Sequence, residues 1–517
     1  MPCFLLKNKE AVKALELTRD INLEKWIGEM KNHPGITIIG CGPGNMDKIT
    51  REAWQIMNEA DELYFRSGSL FNTDQLPDSV EIHTFDHLYN NAEVFEDVYQ
   101  AIVDCIIELG KRGSGVIYCV PGHPFVAETT APAIVSRALK ENIPCRIVEG
   151  MSFLEPVFTH LKVDPFDGLI LIDALQVKNF LLPPVNFGKS LLIAQIYSKE
   201  IASEVKLMLT AVYPDEYPVI MVHGAGTGET VVERICLYEI DRSLHTGLTT
   251  TLYVSKWEEE STFEYLLNVI ARLRAPDGCP WDMEQTHLSL RPYLLEEAYE
   301  TVEALDQEDA AKLQEELGDL LLQIVLHAQI ASEAGDFNIF DVLKGISHKL
   351  VSRHPHVFAS EKVESVDKVL QNWEKLKDKE RKEKGEKQLN GLLRGVSSGL
   401  PALIQAQQYQ ARTARVGFDW PDIDGVKAKI IEEIDEVNLA LNQKQLEAEI
   451  GDLLFSIVNL ARWHNLDAES ALRKSNTRFK NRFEYIEKKI EENDQQLGML
   501  SQKEMDVYWD EAKSIQK

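Results

Sequence analysis

The feature that most restricts this chain is a segment written twice. Glu316–Ala328 reads ELGDLLLQIVLHA and Glu449–Ala461 reads EIGDLLFSIVNLA, identical at eight of thirteen positions. Upstream of each stands a second matched pair, LLEEAYETVEAL at Leu294–Leu305 and IIEEIDEVNLAL at Ile430–Leu441. Apolar residues recur at helical spacing in both copies, and strand patterns nearly vanish after Trp257. A duplicated helical module accounts for this, whereas a solenoid usually needs three or more units.

The copies share their acids. Glu296, Glu297 and Glu300 fall on one predicted helix and Glu316 and Asp319 on the next; the second set is Glu432, Glu433 and Glu436, then Glu449 and Asp452. Residues three apart lie on one helix face, so Glu297/Glu300 and Glu316/Asp319 form pairs that meet if the helices return antiparallel. The second copy has the same arrangement. Each ELGD-like motif leads straight into an apolar run, Leu320–Leu326 or Leu453–Val458, where the helix is about to be buried. Carboxylates gathered there repel one another unless a cation neutralises them. Oxygen-only ligands favour Mg²⁺ or Mn²⁺ over zinc. One Glu-Glu-x-x-Glu alone reads as an ordinary solvated helix face; its recurrence in matched apolar context argues for a site.

Basic residues follow in register. Lys349 and Arg353 are four apart, as are Arg478 and Arg482; Trp373 and Lys377 match Trp509 and Lys513. A basic pair at that spacing makes one cationic edge suited to phosphate oxygens. Cys279 and the His354-Pro355-His356 segment lack the spacing of a zinc site.

The 517 residues exceed a single core. The formal charge of −28 argues against stable binding to nucleic acid or an anionic membrane, since either polyanion is repelled. Seven scattered cysteines without a Cys-x-x-Cys pair read as reduced thiols. No signal peptide or uninterrupted transmembrane run is visible, so the expected location is the cytoplasm.

Between Pro34 and about Val254 the writing differs. Short β-branched runs (Ile36–Ile39, Gly115–Val120, Leu169–Ile172, Leu191–Ile196, Val219–Val222) alternate with helical stretches, which predicts α/β units around buried strands. The expected organisation is a helical extension at 1–33, an α/β domain at 34–256, and all-helical repeats at 257–385 and 386–517. The charge run Lys375–Lys387 separates the repeats and reads as a solvated helix end and loop. Ile36–Gly44, ITIIGCGPG, is a strand opening into a glycine turn, with a helix from about Thr50. Its spacing is not Gly-x-Gly-x-x-Gly, so the dinucleotide fingerprint does not apply.

From about Glu264 to Lys513 the chain resembles the MazG nucleoside triphosphate pyrophosphohydrolase family. The strings that carry the likeness are GCPWDMEQTH (Gly278–His287), EEAYE (Glu296–Glu300), EELGDLL (Glu315–Leu321) and RHPHVF (Arg353–Phe358). They continue with VGFDW (Val416–Trp420), EEIDE (Glu432–Glu436), EIGDLLF (Glu449–Phe455) and NTRFKNRF (Asn476–Phe483). The resemblance implies hydrolysis between the α and β phosphates of a nucleoside triphosphate, with Mg²⁺ held by Glu433, Glu436, Glu449 and Asp452. It implies that Glu432 orients the attacking water, that Arg478, Arg482 and Lys513 hold phosphates, and that Trp509 packs near the nucleotide. The family usually carries lysine where Arg478 stands, which keeps the charge and alters the hydrogen-bond geometry. It also implies that the second repeat is the active one, although the first keeps Glu297, Glu300, Glu316 and Asp319 together with Lys349, Arg353, Trp373 and Lys377.

In the other half, VIYCVPGHPFVAETT (Val116–Thr130), VEGMSF (Val148–Phe153) and IMVHGAGTGET (Ile220–Thr230) join the glycine turn. Over roughly Gly35–Val254 they resemble the tetrapyrrole methylase family, an S-adenosylmethionine fold of two α/β subdomains. By that likeness Gly40, Gly42, Pro43, Gly44, Gly122, Pro124, Gly150 and Ser152 line the adenosylmethionine cleft. Many members have Gly-Asp-Pro where this chain has Gly122-His123-Pro124. The combination resembles the YabN-type fusion. The expectation is a Mg²⁺-dependent pyrophosphohydrolase for nucleotide-pool housecleaning, joined to a methylase-like domain of unknown substrate and completing its bundles as a homodimer or an intrachain repeat pair. The alternative is chiefly an S-adenosylmethionine-dependent methyltransferase acting on a tetrapyrrole-like substrate, its helical half serving oligomerisation or nucleotide sensing.

Overall fold

Short apolar runs become the strands of the first half. In a computed structural model describing residues 35–68, 75–89, 95–177, 180–359, 392–493 and 496–515, β1 (Ile36–Gly40), β2 (Glu62–Phe65), β3 (Glu81–Thr84), β4 (Val116–Val120) and β5 (Cys145–Val148) form one sheet. Its order is β3-β2-β4-β1-β5 and every pairing is parallel. A parallel sheet needs cover on both faces, which is why β1 and β4 read as nearly unbroken apolar runs. Helices α1 (Arg51–Glu59), α2 (Phe95–Gly110), α3 (Thr130–Lys140) and α4 (Leu154–Leu161) belong to this half. Residues of α2 and α3 pack with Ile36, Ile38, Tyr118 and Val120, and Ala53 and Met57 of α1 pack with Ile39, Phe65 and Cys119.

A second sheet follows from β6 (Leu169–Asp173), β7 (Ser190–Ala194), β8 (Pro218–His223), β9 (Val231–Cys236) and β10 (Thr251–Val254), in the order β6-β7-β10-β8-β9. Only β6 and β7 run parallel; the other pairings are antiparallel. Helix α5 (Lys199–Leu209) starts where Ser198 Oγ accepts from Ile201 N at 3.3 Å, and buries Ile201, Val205 and Met208 with Leu191, Ile193 and Met221. The N-terminal half is therefore an α/β fold of two subdomains.

The chain divides into two compact units that part between Glu284 and Gln285. The second unit is helical: α6 (Arg291–Gln307), α7 (Ala310–Ala334), α8 (Ile339–Arg353), α9 (Ala402–Ala414), α10 (Ile423–Leu439), α11 (Gln443–Trp463), α12 (Ala468–Glu492) and α13 (Gln502–Ile515). Short links fold α6 against α7 and α10 against α11 as hairpins. Asp309 caps α7 by accepting from Ala311 N and Lys312 N, and Asn442 caps α11 by accepting from Gln445 N. These caps satisfy donors that the first helical turn leaves unpaired. Arg473 Nε on α12 meets Asp306 Oδ2 on α6 at 2.8 Å, tying the second repeat to the first.

One apolar stripe recurs uncovered in both hairpins. Leu317, Leu321 and Ile324 on α7, and the matching Ile450, Leu454 and Ile457 on α11, are each 38% to 50% exposed. Among the described residues no helix is long and apolar enough to cross a membrane. The extension at 1–33, the run Lys375–Lys387, and Trp373 and Lys377 lie outside the described residues.

Candidate active site

Helical spacing and the hairpin turn together gather the acids. In the second repeat, carboxylate oxygens of Glu433 and Glu436 on α10 and Glu449 on α11 lie within 4.8 Å of one another. In the first repeat the matching group is Glu297 on α6 with Glu316 and Asp319 on α7. The two trios overlap without coinciding. Glu300 and Asp452, each a member of its predicted foursome, stand outside the group so defined. Glu300 still acts on Glu297 and Glu316 through its charge, and Asp452 lines a cleft shared with Glu433.

The repeats differ in counter-charge. Glu433 is 3% exposed, and its Oε1 meets Lys429 Nζ at 2.7 Å; the same ammonium meets Glu432 Oε1 at 2.8 Å. Those two carboxylates hold the Lys429 ammonium well above the usual lysine range. The other oxygen of Glu433 is buried and has no hydrogen-bond donor. Burial, and then the charges of Glu433 and Glu449, raise the Glu436 carboxyl above its ordinary range, with Lys429 opposing. In the first repeat Tyr293 takes the place of Lys429, four residues before Glu297. Burial and then Asp319, Glu300, Glu296 and Glu316 raise the Glu297 carboxyl. Glu316 is raised by burial and by Glu300, with Lys312 opposing. Both trios are oxygen-only clusters in which charge is incompletely balanced, and a divalent cation suits that donor set.

Beside the second trio opens a cleft of about 380 Å³. Lys429, Glu433 and Asp452 line one side of it, and Trp420, Phe455, Ser456 and Asn459 contribute the rest along with Val426. Trp420 is fixed against the start of α10, where only glycine fits: a Cβ on Gly425 would stand 2.6 Å from the indole. Asp419 accepts from Arg462 Nη2 at 2.6 Å and from Trp463 Nε1 at 3.3 Å. Burial pushes the Asp419 carboxyl up, but these bonds and the Trp420 amide outweigh it and hold the group below the usual range.

The predicted phosphate-binding residues fall on the later helices. The Arg482 guanidinium lies over the Trp509 ring at 5.6 Å, so α12 and α13 bring an expected phosphate-holding residue beside the one expected to pack near the nucleotide. Arg478 is exposed on α12, and Lys513 on α13 pairs with Asp510 at 3.0 Å. Lys349 and Arg353 occupy the end of α8.

In the first unit the glycines converge from three strand ends. A Cβ on Gly40 would stand 2.6 Å from both Gly122 O and Gly150 N, and one on Gly150 would stand 2.4 Å from Gly122 O. Gly42 N donates to Gly122 O at 3.3 Å and Gly122 N donates to Gly42 O at 2.7 Å. Gly40 and Gly150 are therefore required by contact of backbone with backbone. Gly122, at φ +71°, is open on its Cβ side, with Ser152 Cα 4.0 Å away as the nearest neighbour. Pro43 abuts Gly226 of the HGAGTG loop, Gly44 takes φ +119°, and Pro124 is buried beside the turn. Ser152 is spent internally, donating to Glu155 Oε2 at 2.6 Å and accepting from Leu154 N at 3.0 Å. His123 Nδ1 accepts from Phe125 N at 3.1 Å. It thereby fills the acceptor role that a short acidic side chain commonly plays two residues before an amide. The open backbone at Gly122, at the carboxyl ends of adjacent parallel strands, suits a small ligand.

Comparison with known proteins places names beside this geometry. A family model described as tetrapyrrole (corrin/porphyrin) methylases matches residues 35–241, and one described as a MazG nucleotide pyrophosphohydrolase domain matches 285–358 and 423–486. The chain is 40% identical over 491 residues to the uncharacterized protein YabN of Bacillus subtilis, covering 93% of this chain and 99% of that one. It is 46% identical over 251 residues to the nucleoside triphosphate pyrophosphohydrolase/pyrophosphatase MazG of Thermotoga maritima, covering 48% of this chain and 95% of that one. Against the nucleoside triphosphate pyrophosphohydrolase of Escherichia coli the identity is 43% over 254 residues, covering 48% and 95%.

Proposed function

Because the chain belongs to the YabN family, with a tetrapyrrole methylase domain preceding two MazG domains, we propose that its helical unit hydrolyses nucleoside triphosphates to monophosphates and pyrophosphate. The observation that carries this reading is the trio Glu433, Glu436 and Glu449, one of whose buried oxygens has no donor, opening beside a cleft of about 380 Å³. The relatives that span this part are named for that hydrolysis.

Glu433, Glu436 and Glu449 would hold the cation, with Asp452, which lines the adjoining cleft, as the fourth carboxylate. Bound Mg²⁺ or Mn²⁺ supplies Lewis acidity, activating a water and neutralising the pyrophosphate that leaves. Glu432, held by Lys429, orients the water or takes its proton. Arg482, stacked on Trp509, holds phosphates with Arg478 and Lys513. In the first repeat Glu297, Glu300, Glu316 and Asp319, with Lys349, Arg353, Trp373 and Lys377, are the corresponding set. We assign turnover to the second repeat, where the cleft adjoins the acids. The role is housecleaning of the nucleotide pool in the cytoplasm. The matched stripes on α7 and α11 are covered by a second copy in a homodimer, and the domain limits are 34–256, 257–385 and 386–517. In the first unit, Gly40, Gly42, Pro43, Gly44, Gly122, Pro124, Gly150 and Ser152 would hold S-adenosylmethionine.

Product analysis of a nucleotide panel with Mg²⁺ tests the first part: pyrophosphate and monophosphate are expected, and release of orthophosphate alone would sink the reading. Calorimetric titration with S-adenosylmethionine tests the second, and no heat at millimolar ligand removes it.

A further inference from the structure

Among the residues lining the second-repeat cleft, Asn459 has an amide whose orientation is fixed by its neighbours. Arg462 donates from Nε at 3.0 Å and from Nη2 at 2.8 Å to Asn459 Oδ1, and the same Nη2 donates to Asp419 at 2.6 Å. A guanidinium only donates, so the Asn459 carbonyl must face Arg462 and its amide nitrogen must point elsewhere. Asn459 lines the cleft, where that NH₂ is the group left to offer. Ser456, 8% exposed, lines the cleft beside it. Trp420 and Phe455 add flat apolar surface, 42% and 45% exposed. A cleft of a few hundred cubic ångströms with aromatic walls and few oriented polar groups is the usual form of a small-molecule site.

The first repeat does not repeat Phe455, Ser456 or Asn459. Registered on the ELGD-like motifs, Leu322, Gln323 and Leu326 stand where Phe455, Ser456 and Asn459 stand, and Leu326 is buried at 3% exposure. The duplication kept the acids and changed what lies beside them.

Building on the hydrolase reading, we propose that Trp420, Phe455, Ser456 and Asn459 form the nucleobase subsite of the second repeat. There the Asn459 NH₂ reads a keto oxygen, selecting 6-keto purines and 4-keto pyrimidines over their amino counterparts. A locked donor facing an exocyclic amino group leaves both donors unpaired in a half-buried cleft, whereas a keto oxygen accepts the bond. The preferred class includes the keto bases that arise when amino bases lose their amino group, which fits removal of altered nucleotides.

The test is kcat/KM for pyrophosphate release from inosine against adenosine triphosphate and from uridine against cytidine triphosphate. We expect each keto substrate to lead by roughly 10- to 100-fold, the span of one buried donor left unsatisfied. Asn459→Asp keeps an acceptor for Arg462, so the fold is retained, yet it has no donor and should erase the preference. Equal values in the unsubstituted protein, or a preference that survives Asn459→Asp, would overturn the subsite. Failure of every nucleotide to yield pyrophosphate would instead remove the hydrolase reading. Binding of inosine against adenosine monophosphate then decides the subsite, and equal affinities would overturn it.

Discussion

The two carboxylate trios share a skeleton and differ in how their charge is answered. In the second repeat a lysine one helical turn before Glu433 bonds it directly; in the first a tyrosine stands there, and the acids lean on one another and on the more distant Lys312. Backbone geometry survives duplication because it depends on helix period and hairpin length. Charge balance depends on single side chains, and here it differs between the copies. In the second repeat the internal cation, Lys429, also lines the cleft beside the acids, which is the basis for assigning turnover to it.

The largest effect expected from breaking this comparison is on turnover. Glu436→Gln should lower pyrophosphate release at least roughly 100-fold by removing a cation ligand, while Glu316→Gln in the first repeat leaves most of it. Equal losses would show that both repeats work, and steady-state assays of the two variants decide it.

Next comes the lysine. Lys429→Met leaves the buried Glu433 carboxylate without its partner and should cost about 1–3 kcal/mol in chemical denaturation of the metal-free protein. Mg²⁺ should restore more stability to this variant than to the unsubstituted protein. The reciprocal exchange, Tyr293→Lys, should stabilise the metal-free first repeat and bring the Glu297 carboxyl back toward its ordinary range, which NMR titration reads. If Glu297 does not move, its raised state does not arise from missing counter-charge.

The smallest effect is on pH dependence. Glu297, Glu316 and Glu436 all have folded-state values above the ordinary carboxylate range, so the folded protein binds their protons more tightly than the unfolded chain does. Their contribution is most favourable below the unfolded pKa and fades as pH rises through the raised folded values. Metal-free protein should therefore lose melting temperature as pH rises across that window. Added Mg²⁺ should flatten the profile. A metal-free profile that rises through the window would show that other groups dominate.

Much of this was legible in the sequence because it is periodic. The acid pairs, the hairpins and the runs at β1, β4, β6, β7 and β8 follow from spacings of three, four and two. The strands ELYF, EIHT, CRIV, VVERIC and TLYV were harder to see: they are short or carry polar residues, and only tertiary pairing defines them. Lys429 was readable in principle, since it lies four residues before Glu433, yet a lysine on an acidic helix face looks like a solvated pair. Asp419, Arg462 and Asn459 could not be joined on paper, because Asp419, which also pairs with the Arg462 guanidinium, lies 43 residues from it. Glycine enrichment was legible as a turn. That Gly40 and Gly150 serve contact between main chains, and that Ser152 serves its own helix start, needed coordinates.

The meeting of Gly40, Gly122 and Gly150 has a consequence for how such a fold can change. A floor made of main chain carries no chemical identity of its own, so neighbouring residues can be exchanged without disturbing the crossing. His123 illustrates it: a ring nitrogen makes the turn bond beside strand ends that meet main chain to main chain. Architecture of this kind separates what must be inherited from what is free to vary, and lets one frame acquire new ligands by altering only its rim.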